Sequence, residues 1–263
     1  MYVRSQDAQI YYESRGEGPP VVLLHPFPVH HAIWDPIAKQ LEHRYRVICP
    51  DLRGLGQSAV GDGPATMEKH SADLLAVVRE ADIERAVFAG VSIGGYILFD
   101  FWRRYRARFK ALVLCCTRAA ADNESGKQNR MRAIEHVQQH GVSRYLDTSA
   151  PNLFSPTTRS NRPDLVASAR AMMESASVEG IVALQQGMMD RPDSLDTLKS
   201  IDVPTMVVAG RDDALIPLDE AETMHRMIRG SEMIRVPDAG HYAIWEQPES
   251  VGRALRQFLD RVR

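Results

Sequence analysis

What most limits the folds open to this chain is a series of short apolar runs, most of which do not alternate with polar residues. They fall at residues 10–13, 21–25, 46–50, 86–90, 111–116, 205–210 and 232–236. A strand with one wet face alternates; a strand buried on both faces does not. Between these runs lie segments with helical periodicity at 67–81, 94–105 and 251–262. The first places Leu74, Leu75, Val78 and Ala81 on one stripe, and the last does so with Val251, Leu255, Phe258, Leu259 and Val262. Strand, helix, strand succession predicts an α/β chain, with a mostly parallel sheet and helices on both faces. The hairpin-like start, YVRSQDAQIYYES, adds an antiparallel edge and makes the expected sheet eight-stranded.

One stretch breaks this rhythm. After the sixth strand come helical patterns near 128–140, 164–173 and 178–189, interrupted by Gly141, Pro151, Pro156, Pro163, Gly180 and Pro192. A structureless loop of that length is improbable in a folded domain. The expectation is a discontinuous core, residues 1–117 and 195–263, with a helical cap, residues 118–194, inserted after the sixth strand.

Composition narrows the class of function. The 263 residues carry 32 Lys plus Arg against 34 Asp plus Glu, a net charge of −2. That balance provides no electrostatic basis for binding nucleic acid or an anionic membrane. The three cysteines, Cys49, Cys115 and Cys116, are odd in number and include an adjacent pair, which is no disulfide framework and suits a reducing cytosol. The first residues show no basic region followed by an apolar stretch, and no apolar run approaches the ~20 residues of a membrane helix. A cytoplasmic protein with no membrane partner is expected.

The strongest local signal is AVFAGVSIGGY, residues 86–96, which contains Gly90-Val91-Ser92-Ile93-Gly94. A strand runs into it and a helix leaves it. A nucleophilic serine works best on such a sharp turn, where small flanking residues let the backbone crowd together. A serine needs a base, and the base an orienting acid. Among the histidines, His225 sits in a helix-like stretch and His25 ends a strand, whereas His241 lies in a loop after a late strand beside Gly240. The acid candidates are Asp212 and Asp213, one of which can be a turn residue. Asp122, just past the sixth strand, is the fallback. Two donors for an oxyanion are also needed. Ile93 N–H follows the serine at a helix start. In His25-Pro26-Phe27-Pro28 the prolines have no N–H, so Phe27 is the donor there.

These segments together resemble the α/β-hydrolase-fold serine hydrolases that carry a helical cap, of the small bacterial esterase and lactonase type. The chain order Ser92, Asp213, His241 matches that family's order of nucleophile, acid and base. Gly210-Arg211-Asp212-Asp213 with Pro217 resembles its G-x-x-D-x-x-x-P, which selects Asp213. HPFP resembles its H-G-x-P oxyanion loop, with Pro26 where Gly is commoner. Residues 51–58, DLRGLGQS, resemble its structural D-x-R-G-x-G-x-S loop, and Gly240-His241 with Glu246 and Pro248 its histidine loop.

The resemblance implies a hydrolase of carboxylic esters or lactones that uses no cofactor and acts on a small molecule. Enol-lactones and acyl-homoserine lactones are within its range. A serine nucleophile sets aside haloalkane dehalogenation. A carbon–carbon bond hydrolase, suggested weakly by Trp245, and a non-enzymatic ligand receptor are the alternatives. Met172, Met173, Met188 and Met189 are candidate lining for an acyl pocket, being soft and adaptable. No metal is expected. His136 and His140 are four apart on a helix but lack the H-E-x-x-H pattern, and His30 and His31 belong with the oxyanion region. The basic run Arg103, Arg104, Arg106, Arg108, Lys110 reads as a solvated helix end. The oligomeric state is not legible.

Overall fold

Central strands that are apolar and buried along almost their whole length set the plan of this protein. The structure is a computed structural model, which describes residues 1–262. The strands are β1 (Tyr2–Ser5), β2 (Ala8–Arg15), β3 (Pro20–Leu24), β4 (Arg46–Pro50), β5 (Ala86–Val91), β6 (Phe109–Cys115), β7 (Thr205–Gly210) and β8 (Glu232–Val236). They form one eight-stranded sheet in the order β1-β2-β4-β3-β5-β6-β7-β8. The pairs β1–β2 and β2–β4 are antiparallel and the others parallel. All six residues of β5 and all six of β7 are buried, so the sheet is covered on both faces. The outermost strands β1 and β8 are largely exposed or half-buried, as sheet edges are.

The helices in chain order are α1 (Asp35–Leu41), α2 (Met67–Glu80), α3 (Ile93–Tyr105), α4 (Glu124–Ser149), α5 (Pro156–Asn161), α6 (Pro163–Glu174), α7 (Val178–Met189), α8 (Leu195–Lys199), α9 (Leu218–Met227), α10 (Ala243–Glu246) and α11 (Pro248–Arg261). Helices α1 and α11 pack on one another, as do α2 and α3. Thr66 caps α2, its side chain accepting from Lys69 N–H. Among the described residues, no helix is long and apolar enough to cross a membrane.

Helices α4 to α7 form the insertion between β6 and β7. The break foreseen at Gly141 is real: its φ of 76° interrupts α4. The two ends of the insertion meet, since Ser194 N–H donates to the Ala119 carbonyl (2.9 Å) and Ala121 N–H to Asp193 Oδ2 (3.1 Å). Helix α7 then lies close against the core. Ala65 N–H donates to the Ala183 carbonyl (2.9 Å), and a Cβ at Gly187 would stand 1.8 Å from the Ala65 carbonyl oxygen.

The topology decides where chemistry can occur. Strand β3 lies between β4 and β5, so the chain leaves β3 toward one side and later crosses to the other. In open parallel sheets the crevice beyond the carboxyl ends of the strands at such a reversal is the usual ligand site. The turn after β5 is made possible by close packing. A Cβ at Gly90 would stand 2.4 Å from the Gly94 carbonyl carbon, and one at Gly94 would stand 2.9 Å from the Leu24 carbonyl oxygen. Both neighbours are backbone and cannot swing aside. Gly90→Ala should therefore cost about 1–3 kcal/mol or more, the scale of an overpacked core. A denaturant midpoint equal to that of the parent protein would show that the turn has slack.

Candidate active site

Five loops at the carboxyl ends of the parallel strands, after β3, β5, β6, β7 and β8, meet around one cavity of about 420 Å³. Leu24 and Gly90 are register partners, so the loop after β3 and the turn after β5 emerge side by side. The first carries Phe27 and the second Ser92, and both border the cavity. Ser92 has φ 53° and ψ −114°, a strained backbone for a residue with a side chain. It is held there from both sides. Its N–H donates to the Cys115 carbonyl (3.0 Å), and the Thr117 hydroxyl donates to its carbonyl (2.7 Å). Ile93 is the first residue of α3, where N–H groups have no acceptor within the helix.

Asp213 and His241 come from the loops after β7 and β8. His241 Nδ1 lies 2.9 Å from Asp213 Oδ2, with side chains 3% and 2% exposed. The other carboxylate oxygen, Oδ1, accepts from Leu215 N–H (2.9 Å) and Ile216 N–H (3.0 Å). The carboxylate is thus fixed before it meets the imidazole. It accepts a hydrogen bond from Nδ1–H and so leaves Nε2 as the acceptor nitrogen of a ring that borders the cavity. The neighbouring Asp212 is exposed.

Around these groups lies a frame of buried hydrogen bonds. Glu246 accepts from Gly240 N–H with Oε1 (2.7 Å) and from Ser155 N–H with Oε2 (2.8 Å), so it joins the histidine loop to the insertion. The Tyr242 hydroxyl donates to the Phe27 carbonyl (2.8 Å). His25 accepts from Leu52 N–H at Nε2 and approaches the Pro26 carbonyl with Nδ1, each at 2.9 Å, so its ring is neutral with the proton on Nδ1. Burial lowers its pKa to about 4. His31 Nδ1 meets Asp51 Oδ1 (2.7 Å), while Gln57 N–H donates to Asp51 Oδ2 (2.8 Å). Burial alone would raise the Asp51 carboxyl; the His31 hydrogen bond and nearby imidazoles outweigh it and hold the carboxyl below its ordinary value.

Several sequence expectations need correction. Of the four methionines, only Met188 borders the cavity. Successive helix residues are turned by about 100°, so Gln185 and Met188 on α7 face the cavity and Met189 does not. Met173 is fully buried in helix packing, and Met172 is partly buried against the core. Trp245 also lies off the cavity, its indole N–H donating to the Leu165 carbonyl (3.2 Å). Asp122, the fallback acid, borders the cavity as the hub of an ion-pair cluster with Arg130, Arg191 and, at 3.7 Å, Arg118. The sequence reading missed Arg118, Arg130, Tyr96, Tyr145 and Gln185, all of which border the cavity. Arg118 could have been found, because it follows a central strand at the end where ligands bind.

Two histidine groups remain. His136 and His140 do share a face of α4, with ring centroids 4.9 Å apart. Ligand-type atoms of His30, His31 and Asp51 lie within 4.8 Å of one another. There His31 and Asp51 bond each other, and His30 Nδ1 accepts from Ala32 N–H, which accounts for the cluster as loop bracing.

With this geometry in view, the matches to known proteins fall into place. The family model described as alpha/beta hydrolase fold matches residues 19–248. The chain belongs to that family. A thermophilic esterase from Thermogutta terrifontis, solved with malate bound, superposes with a TM-score of 0.96 at 38% identity, covering 100% of this chain and 98% of that one. The 3-oxoadipate enol-lactonase 2 of Acinetobacter baylyi is 24% identical over 98% of this chain and 95% of its own. A non-heme haloperoxidase of Rhodococcus erythropolis is 27% identical over 97% of both.

The buried imidazole makes a prediction about acid stability. An unfolded histidine binds its proton near pH 6.5, whereas folded His25 does so only near pH 4. Between these values the unfolded chain holds more protons, so stability should fall as pH drops from about 6.5 toward 4. His70 adds in the same direction, its pKa lowered to about 3 by burial. In His25→Gln, a plot of melting temperature against pH should be shallower over this range. An unchanged slope would place the acid sensitivity elsewhere.

Proposed function

We propose that this chain hydrolyses carboxylic esters or lactones, without a cofactor, through an acyl-enzyme on Ser92. The reading rests above all on one arrangement: a buried Asp213–His241 pair and a strained Ser92 bordering a single cavity. His241 Nε2 takes the Ser92 proton as the oxygen attacks the carbonyl, and Asp213 stabilises the imidazolium that forms. The N–H groups of Phe27 and Ile93 receive the charge that develops on the carbonyl oxygen. His241 returns the proton to the leaving oxygen, and water repeats the steps on the acyl-enzyme. The Thermogutta terrifontis esterase supports the ester class, and the enol-lactonase of Acinetobacter baylyi supports lactones. The Trp245 cue for carbon–carbon bond cleavage loses its force, since that side chain is occupied with Leu165.

In this reading, residues 118–194 form a cap that selects substrates while the core performs the reaction. Support comes from the neck at Ala119 and Ser194 and from the cavity wall, which α4 and α7 share with the core loops. The three cysteines are buried free thiols, which fits work in the cytoplasm.

The test is turnover of a short-chain p-nitrophenyl ester together with labelling by a fluorophosphonate. Ser92→Ala should abolish labelling and lower kcat by at least ~10⁴ with folding intact. If it kept more than a tenth of the activity, the nucleophile would lie elsewhere. Asp213→Asn should cost ~10⁴, the scale for a misoriented base, and Asp212→Asn little. Small, equal losses at both aspartates would remove Asp213 from the role of acid.

A further inference from the structure

Beside Ser92 the cavity carries charge for which hydrolysis has no use. Arg118, Arg130 and Asp122 border it, and Arg191 lies behind Tyr96, its guanidinium 4.2 Å from the centre of that ring. Resting on the hydrolase reading above, we propose that Arg118, with Arg130 beside it, is a subsite for a carboxylate on the substrate. The natural substrate is then an ester or lactone that bears a second, anionic group.

The cluster is built asymmetrically. Arg191 is committed to the fold: it is ion-paired with Asp122 (2.8 Å) and donates to the carbonyls of Met188 and Ala120, each at 2.9 Å. Arg130 gives Nε to Asp122 and Nη1 to Gln185 Oε1 (2.9 Å). Burial alone would raise the Asp122 carboxyl, but the Arg130 hydrogen bond and the two guanidinium charges hold it below its ordinary value. It stays an anion and braces both arginines.

Arg118 is different. Its nearest carboxylates are Asp122 at 3.7 Å and Glu220 at 3.9 Å, both beyond hydrogen-bond length. The Arg118 guanidinium meets the Tyr96 hydroxyl, but its Nε is buried with no hydrogen-bond partner among the described residues; Arg191 Nε is unpartnered too, yet of the two only Arg118 borders the cavity. A buried donor without an acceptor costs free energy, and a ligand oxygen would relieve it. Three guanidiniums face two carboxylates here, Asp122 and Glu220, and Glu220 is itself pushed toward its neutral form by burial. The balance favours an incoming anion, and the planar fork of arginine suits a carboxylate in particular.

Position sets the length of the substrate. Tyr96 lies one helical turn, about 5.4 Å, beyond Ser92, with Arg191 over its ring and Arg118 at its hydroxyl. The second carboxylate should therefore stand only a few carbons from the reacting carbonyl. Half-esters of short dicarboxylic acids have that shape, as do lactones with a short carboxylate arm.

The test compares monomethyl glutarate with its neutral isostere, methyl glutaramate. The parent protein should show a higher kcat/KM for the half-ester, by at least tenfold. In Arg118→Gln that ratio should fall by about ten- to a hundredfold, the worth of a hydrogen bond to a charged group, mainly through KM. Arg118→Lys should restore part of it. A ratio near one in the parent protein, or one unmoved in Arg118→Gln, overturns the proposal. Binding of glutarate to Ser92→Ala, followed by calorimetry, separates this from the hydrolase reading. If no ester is turned over, that reading fails, yet glutarate binding weakened by Arg118→Gln still supports the subsite. No glutarate binding, or binding equal in both proteins, overturns it.

Discussion

The arrangement of this molecule depends on how closely two strands and one helix approach one another. Strands β3 and β5 run side by side, and α3 starts where both end. Gly90 and Gly94 leave room for that start, with Gly94 facing the Leu24 carbonyl. The approach forces Ser92 into its strained conformation and brings Phe27 next to it. Any side chain in the gap would push the helix out and separate Ser92 from the loop that carries Phe27. The energy stored at Ser92 is offset by the hydrogen bonds from Thr117 and to Cys115. Strain of this kind persists only where the surroundings over-determine it.

Much of this was legible beforehand, and for a physical reason. A parallel strand buried on both faces has no polar alternation, so runs such as 86–90 and 205–210 show themselves in composition alone. Residue type and chain position brought forward Ser92 and His241 but left Asp212 and Asp213 both open; only the family resemblance selected Asp213, the one that lies 2.9 Å from His241 Nδ1. The insertion resisted the same treatment. Its helices could be placed from periodicity, but not their rotation against the core. Met188 borders the cavity while Met189 does not, a difference of one residue that depends on where α7 touches Ala65. Asp122 looked like a spare acid because sequence does not show the arginines that converge on it.

Two polar systems meet in the cavity and follow different logic. The Asp213–His241 pair is almost wholly shielded, with its carboxylate held by two further backbone bonds, and its charge is redistributed only when a proton moves. The arginine cluster is a standing charge with one member loosely held. Tyr96 belongs to the second: it follows Ser92 by one helical turn, borders the same cavity and carries Arg191 on its ring.

Glu246 joins two parts of the chain that are far apart in sequence. One of its oxygens holds the loop before His241 and the other holds Ser155 in the insertion, and in both cases the donor is a backbone N–H. The two donors also lie close together: a Cβ at Gly240 would stand 2.6 Å from Ser155 N, so the joint needs glycine at 240. The part of the cavity wall that α4 and α7 supply can change residue by residue without touching the Glu246 bonds. Such a joint separates the lining of a cavity from the support of the loop beside it, so that one can vary in small steps while the other stays in place.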